Sequence, residues 1–411
     1  MSERTVLVVS QRPLDLGGGG SARWRHLRPA LEAHGWRVVE CSPPVGITGD
    51  ETSTDPRRAR LAASRARVMA VAGKALDPVA GLLGLRPEAL APNNAWALTG
   101  RPLVRRAIER ERPDVVVATA PPPSALLVAA AVTRDVPLVA EFRDLWAGNP
   151  FYDRGSRLLR SIQERALRHA AAVVTVSDGC RAALEEVDPS VARRLHVLPN
   201  GFDPRLLQRR TPRAPSAGPR VLIHAGSLYG ERTAEPLLAA LQSDGLRERV
   251  RLQLVGVVDP RTRKLLATLD GLDVTVEPPV RWDEAIERVQ AADVAVVINA
   301  PGTGGDMALP GKLFEALALG RPVLALTRPE SDTARLLERL GQETGVAPPE
   351  DPEAIADAIT RLLDVPPEAV PREALAEFDR DLVAARYAAL LDELASRSSK
   401  ATSSGTTTSR R

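Results

Sequence analysis

Short runs of apolar residues alternate along the chain with longer stretches in which apolar residues recur at helical spacing. This alternation is typical of βα units and predicts a parallel sheet. In the first half of the chain we expect strands at residues 5–10, 37–41, 115–119, 138–142, 173–177 and 196–198. Helical stretches such as 22–34 and 156–169 lie between them.

The pattern is interrupted after residue 203. Residues 204–220 are rich in Arg and Pro and predict a linker. A second series of strands is expected at 221–225, 251–255, 274–276, 294–298 and 323–326. We therefore predict an α/β fold of two Rossmann-like, doubly wound domains, 1–203 and 221–371, facing across a cleft that holds the ligand. A long helix is expected at 372–396, and residues 397–411 have too few apolar side chains to fold.

Composition and charge narrow the class of protein. A chain of 411 residues is long enough for two domains. The 55 basic and 52 acidic residues nearly balance, so bulk charge does not favour nucleic-acid binding. Two distant cysteines predict no disulfide framework. No secretion signal and no run of 18 apolar residues are found, which favours a cytoplasmic enzyme.

One segment has a strongly uneven charge. Residues 57–74 contain six basic side chains and no acidic one, with apolar residues interspersed. A basic amphipathic helix of this kind suits peripheral contact with an anionic membrane, such as the inner face of the cell membrane. A solvated helix covering the first domain explains the same pattern, and we favour that interpretation.

A run of four glycines, 17–20, lies between the first strand and the first helix. Glycines allow the backbone, here at Gly18 and Gly19, to approach an anion bound at the start of the helix. Gly17, Gly19 and Ala22 also satisfy a loose G-x-G-x-x-A pattern, which makes an NAD-dependent dehydrogenase an alternative, with Glu40 on the ribose. The six residues between strand and glycines favour a transferase loop, because a dinucleotide turn follows its strand at once.

Charged residues follow two of the predicted strands. Arg143 and Asp144 close the strand at 138–142 and are expected to face a ligand crevice, although a structural ion pair is the alternative. Gly226 follows the strand at 221–225. Arg232 stands at the entrance of the next helix, where a guanidinium can neutralise a diphosphate; an ordinary surface arginine is the alternative there.

The segment 302–325 has the most informative pattern. A glycine-rich loop follows the strand at 294–298, and a helix is expected to begin near Pro310. Lys312 falls in the first turn of that helix, where a cation opposes the helix dipole and so indicates a bound anion. Glu315, one turn further on, can accept hydrogen bonds from ribose hydroxyls. No Asp-rich motif or His/Cys cluster predicts a metal ion, and no cofactor is expected.

These segments together resemble the GT4-like family of retaining GT-B glycosyltransferases, over residues 5–395. The resemblance is carried by residues 310–325, by 198–203 (LPNGFD) and by 141–146 (EFRDLW). It implies that Glu315, with Leu313 beside it, binds the nucleotide and holds its ribose. It further implies that Arg232 binds the diphosphate, that Gly18 and Gly19 border the donor phosphates, and that the C-terminal helix braces the first domain.

The chain departs from the family pattern at three positions, one of which is the strand end at 119–123, where a frequent His is absent. Met307 stands where the first of two family acids is expected, and Ser227 replaces an arginine, so Lys312 is expected to supply a missing positive charge. The predicted function is transfer of a sugar, with retained configuration, from a nucleoside-diphosphate donor to a hydroxyl acceptor in a polysaccharide, glycolipid or secondary metabolite. Arg232, Lys312 and Asp144 are the expected catalytic residues, and Gly226, Arg143 and Glu315 are expected to bind substrate. A sugar-nucleotide epimerase and a degenerate binding protein remain alternatives.

Overall fold

A computed structural model describes residues 4–11, 14, 19–43, 96, 100–121, 123–147, 155–211, 218–243 and 245–404. The chain forms two compact units, one of residues 1–199 with 381–411 and the other of residues 200–380. We call them unit 1 and unit 2. The basic segment 57–74 and Gly18 lie outside the described residues. No helix within the described part of the chain is long and apolar enough to cross a membrane.

Unit 1 is built on a six-stranded parallel sheet of order β2-β1-β3-β4-β5-β6. Its strands are β1 (Arg4–Ser10), β2 (Trp36–Cys41), β3 (Val115–Ala120), β4 (Leu138–Phe142), β5 (Ala172–Thr175) and β6 (Leu195–Val197). Its helices are α1 (Gly19–Ala33), α2 (Arg101–Glu111), α3 (Ser124–Ala130), α4 (Arg157–His169) and α5 (Asp178–Val187), with a 3-10 helix at Pro189–Arg194. β1, β3, β4 and β5 are almost wholly buried, which explains their continuous apolar runs.

The C-terminal helix packs on the sheet of unit 1. Val383, Tyr387 and Leu391 join Trp24 in one hydrophobic cluster. The single helix predicted at 372–396 is wrong in detail, because a 3-10 helix, Glu373–Phe378, comes first and the α-helix begins at Arg380. The predicted disorder from residue 397 is also wrong in part, since the helix continues to Ser404. Residues 405–411 lie outside the described residues.

Unit 2 contains a second six-stranded parallel sheet, of order β12-β11-β10-β7-β8-β9. Its strands are β7 (Arg220–Ala225), β8 (Val250–Val255), β9 (Asp273–Glu277), β10 (Val294–Ile298), β11 (Val323–Leu326) and β12 (Val346–Ala347). Its helices are α6 (Glu235–Ala240), α7 (Pro260–Leu266), α8 (Trp282–Ala291), α9 (Thr303–Asp306), α10 (Gly311–Ala318), α11 (Asp332–Arg339) and α12 (Pro352–Asp364). The strand order reverses between β7 and β10, and a doubly wound sheet binds ligands at that reversal, at the carboxyl ends of its strands.

Each predicted strand is present, with its ends displaced by at most two residues. The chain passes from unit 1 to unit 2 between Pro199 and Asn200. Residues 204–209, the start of the predicted linker, form a 3-10 helix whose Leu206 is buried in the core of unit 2. That apolar side chain is the physical reason why this part of the segment is anchored.

Arg210 closes the carboxyl end of α10. Its guanidinium donates to the carbonyls of Ala318 (2.9 Å), Leu317 (3.0 Å) and Val370 (2.7 Å). We expect Arg210→Ala to lower the free energy of unfolding by about 2 kcal/mol, because it leaves carbonyls at a helix end without their donor. Urea denaturation followed by circular dichroism measures the change. The exposed Arg247, replaced by Ala as a control, should change stability by less than about 0.5 kcal/mol.

Candidate functional site

The candidate site of unit 2 lies at the carboxyl end of β7, where the strand order reverses. The strand places His224 in the interior with no exposed surface, two residues before Gly226. Gly226 has a φ of 151°, a conformation that favours glycine, and a side chain there would collide with the Lys312 ammonium group. The glycine therefore makes the room in which the lysine lies.

Lys312 reaches this point from the first turn of α10. Its Nζ lies 3.3 Å from Nε2 of His224 and forms no ion pair with any residue that the structure describes. Burial and the charge of Arg232 lower the pKa of Lys312 from 10.5 to about 7, although Glu315 acts in the opposite direction. An ammonium group that is half-buried and has no counterion is costly, which indicates that an anion belongs beside it.

Arg232 supplies a second cation in the same region. Its guanidinium carbon lies 5.1 Å from the centre of the exposed Tyr229 ring. Its buried Nε has no hydrogen-bond partner among the described residues. Two cationic side chains with unused donors form a site suited to a polyanion such as a diphosphate.

Glu315 lies one turn beyond Lys312 and is held by two donors. Trp282 Nε1 donates to its Oε1 at 2.9 Å, and Arg380 Nη2 donates to the same oxygen at 3.2 Å. This arrangement fixes the carboxylate and leaves Oε2 for another donor. Leu313, which is predicted to bind the nucleotide, has its side chain buried in the core, and its N–H donates to the carbonyl of Pro310.

Met307 terminates α9, at the place where the resemblance puts an acid. The neighbouring carboxylate of Asp306 lies 3.1 Å from Arg328 Nη2. Burial raises the pKa of Asp306, against the effect of Arg328. Asp306, the acid next to Met307, is therefore already paired with Arg328.

Unit 1 places the other predicted site residues. Gly19 begins α1, and Asp144 lies half-buried beyond the end of β4. Arg143 donates to the carbonyls of Ala120 (3.1 Å) and Pro121 (2.9 Å), so these donors hold the end of β3. These three residues belong to unit 1, whereas Gly226, Arg232, Lys312 and Glu315 come together within unit 2.

Glu40, the ribose-binding acid of the dehydrogenase alternative, is engaged within unit 1. Its Oε1 accepts from Leu14 N at 3.1 Å and from Ser42 Oγ at 2.7 Å. These two hydrogen bonds explain the position of the Glu40 carboxylate without a bound dinucleotide.

Two residues of the candidate site escaped the sequence analysis. Trp282, on α8, has no local pattern that links it to Glu315. His224 had a signal that sequence reasoning passed over, because a histidine inside a buried strand must have hydrogen-bond partners. Those partners are Val296 and Lys312.

The two doubly wound parallel sheets define the fold class, which is the GT-B fold. Family comparison agrees: the model described as Glycosyltransferase Family 4 matches residues 17–206, and the model described as Glycosyl transferases group 1 matches residues 219–365. The chain belongs to glycosyltransferase family 4. Membership favours the predicted glycosyltransferase over the dehydrogenase.

A curated relative is the MMP alpha-(1->4)-mannosyltransferase of Mycolicibacterium hassiacum, 28% identical over 218 residues. The match covers 50% of this chain and 49% of the relative, so the chain spans about half the length of that protein. The sequence similarity therefore supports a relationship within the family and does not identify the substrates.

Solved structures share the whole fold. Sucrose-phosphate synthase from Thermosynechococcus elongatus has a TM-score of 0.67 at 17% identity, covering 95% of this chain and 99% of that one. Anabaena HepE in complex with UDP has a TM-score of 0.61 at 18% identity, covering 95% and 100%. At these identities the likeness establishes the fold alone.

Proposed function

We propose that the protein is a retaining glycosyltransferase that moves a sugar from a nucleoside-diphosphate donor to a hydroxyl acceptor. The observation that carries the proposal is the pair of cations at the carboxyl end of β7. Neither Lys312 nor Arg232 forms an ion pair with a described residue, and Lys312 is half-buried. A diphosphate supplies the negative charge that this site lacks.

Each residue of the site has a distinct task in this proposal. Lys312 and Arg232 stabilise the negative charge that grows on the diphosphate as the bond to the sugar breaks. Glu315, held by Trp282 and Arg380, accepts hydrogen bonds from the ribose through Oε2. The departing phosphate takes the proton of the acceptor hydroxyl on the same face of the sugar, so no protein nucleophile is needed and configuration is retained.

In this proposal the acceptor binds to residues of unit 1. Asp144, beyond the end of β4, interacts with the acceptor. Arg143 contributes by fixing the end of β3.

Two measurements test the function. Thermal unfolding with UDP, GDP and dTDP identifies the base, because a ligand that binds the folded state raises Tm. The relative named as a mannosyltransferase and the neighbour crystallised with UDP make GDP-mannose and UDP-glucose the first donors to test. Proton NMR of the product then gives the anomeric configuration. Inverted configuration rejects the retaining mechanism, and interconversion of the donor without acceptor favours an epimerase.

Glu315→Ala is expected to weaken binding of the nucleoside diphosphate by about 10- to 100-fold, because hydrogen bonds to a charged acceptor are lost. The rate at saturating donor should change much less. Isothermal titration calorimetry measures the affinity. The exposed Glu338, replaced by Ala, is the matched control on the same unit and should leave the affinity unchanged. Unaltered affinity in Glu315→Ala would contradict the ribose assignment.

A further inference from the structure

The Lys312 amine has a single hydrogen-bond partner among the described residues, the imidazole of His224. The His224 side chain has no exposed surface, and Lys312 is half-buried. A charged amine that is partly withdrawn from water loses part of its hydration and gains only one neutral partner in return. Its charge is therefore supported by little besides that histidine.

The hydrogen bonds of His224 fix its tautomer. Nδ1 lies 3.0 Å from the carbonyl oxygen of Val296, which can only accept, so Nδ1 carries a hydrogen. Burial first, and then the charge of Lys312, hold the pKa of His224 well below its ordinary value, so the ring is neutral. Nε2 consequently presents a lone pair to Lys312 Nζ at 3.3 Å and accepts a hydrogen bond from it.

The other charged groups around the amine are Arg232 and Glu315. Arg232 repels the positive charge of Lys312. Glu315 attracts it, but its Oε1 is already bonded to Trp282 and Arg380. On the remaining side Gly226 has no side chain, and any side chain there would collide with Nζ. The protonated amine is thus poised for an incoming anion rather than satisfied by its own protein.

We propose that His224 and Lys312 form a proton-linked diphosphate site, in which Lys312 takes a proton from solvent when the donor binds and returns it when the nucleoside diphosphate leaves. The proposal rests on the proposed function. On binding, a new N–H bond forms at Nζ, the proton comes from water or buffer, and the ammonium group donates both to the diphosphate and to His224 Nε2. His224 is a positioning residue in this scheme, since it orients the amine without contacting the donor.

The size of the proton uptake follows from the charges. The amine has a pKa of about 7 in the free protein, and an adjacent diphosphate should raise it by about two units, because an opposite charge at hydrogen-bond distance favours the ionised form. Binding at pH 8 should therefore take up about 0.8 proton per site, and binding at pH 6 about 0.1. A donor whose diphosphate is esterified at both ends has no proton of its own that titrates in this range.

The test is calorimetric titration of the full chain with UDP-glucose and with GDP-mannose, repeated at pH 8 in buffers of different ionisation enthalpy. The slope of the observed enthalpy against buffer enthalpy gives the protons taken up. We expect about 0.8 for the wild type and less than about 0.1 for Lys312→Met. A merely structural lysine would not produce this difference.

Two variants of His224 separate orientation from packing. His224→Asn keeps a donor near the Nδ1 position for Val296 but has no acceptor near Nε2, whereas His224→Gln puts an acceptor there. At pH 8 we expect His224→Asn to bind the donor about tenfold more weakly, and His224→Gln to bind within about threefold of the wild type. If His224→Asn does not fold, the proton counts of the wild type and Lys312→Met still decide.

The outcomes distinguish the inference from the function on which it rests. Measurable binding of a nucleotide sugar with less than about 0.2 proton taken up at pH 8 overturns the proton-linked site and leaves the glycosyltransferase proposal intact. Uptake that persists in Lys312→Met overturns the assignment to Lys312. Binding of neither nucleotide sugar nor of free UDP and GDP overturns both.

Discussion

Replacing Lys312 by Met is expected to lower kcat/KM for the donor by about 100- to 1000-fold and to leave the protein folded. The loss follows from removing a half-buried cation that faces the developing charge of the leaving group in this proposal. The rate is measured as release of nucleoside diphosphate in the presence of acceptor. Methionine keeps the length and flexibility of the side chain, so packing against Gly226 is preserved.

The wild type and Lys312→Met should differ in how their stability changes with pH. The pKa of Lys312 is about 7 in the folded protein and 10.5 in its ordinary state, so between these values the unfolded chain binds a proton that the folded protein lacks. The stability of the wild type therefore rises with pH across this window through this group, and below pH 7 the charged amine is a burden. Lys312→Met should be at least as stable as the wild type at pH 7 and should lose that rise.

Lys264→Met is the matched control, because Lys264 is an exposed lysine on α7 of the same unit. It should change neither the rate nor the stability curve. A Lys312→Met enzyme with full activity, or one that unfolds several degrees earlier at pH 7, would show that the lysine serves the fold and not the reaction.

Replacing Arg23 by Met is expected to lower the free energy of unfolding by about 3–5 kcal/mol. Arg23 Nε donates to Glu141 Oε1 at 2.9 Å, and the two side chains are 3% and 0% exposed. Trp24 Nε1 donates to the other carboxylate oxygen at 2.8 Å, while Arg23 Nη1 donates to the carbonyl of Pro199 at 2.7 Å. Without the guanidinium, a buried carboxylate keeps only part of its stabilisation.

The effect of Arg23→Met should diminish in acid. Burial opposes ionisation of Glu141, but the charges of Arg23 and Arg143 outweigh it and lower the pKa of Glu141 below 4.5. The pair thus stabilises the wild type above pH 4.5, and this contribution is lost as pH falls through the lowered pKa. In the variant, burial of Glu141 meets one opposing charge fewer, so its pKa should lie above that of the wild type and the carboxyl should become neutral at a higher pH, where it costs less.

Guanidinium denaturation at pH 5 and pH 7.5 measures the difference. Arg28→Met is the control on the same helix, because Arg28 and Glu32 form a solvent-exposed pair at 3.2 Å, and its effect should stay within about 0.5 kcal/mol. The double variant with Glu141→Gln, which still accepts from Trp24, should recover part of the loss. An equal loss at both pH values would mean that packing, not the unpaired charge, causes the destabilisation.

The sequence was sufficient for eleven of the twelve strands that the structure describes. Buried parallel strands are continuous apolar runs, so β4, β10 and β11 were predicted with their observed ends. β12 was missed because two residues carry no periodicity. Lys312 and Glu315 were predicted to act together because their positions on one helix turn follow from helical spacing, and their roles stay predictions.

Other features are contacts between residues that lie far apart in the sequence. Glu141 was noticed only as part of a charged strand end, and its partner Arg23 lies on α1, far away in sequence. Trp282 and Arg380 meet at Glu315 from two different elements. The burial of Leu313 was not foreseen, because the sequence does not tell which face of its helix packs on the core. Tertiary packing decides such pairings, and no local pattern encodes them.

The ends of unit 2 are joined by backbone hydrogen bonds. Phe202 N donates to Phe378 O at 2.9 Å and Arg380 N donates to Phe202 O at 3.0 Å, while Gly201, with a φ of 62°, allows the close approach to Phe378. Residues 200–380 therefore begin and end at the same point, as an inserted domain does, and unit 1 is one domain interrupted in sequence. Unit 2 can therefore be excised as a continuous polypeptide whose two ends are hydrogen-bonded to each other. It can also be exchanged for another domain without cutting a strand of either sheet.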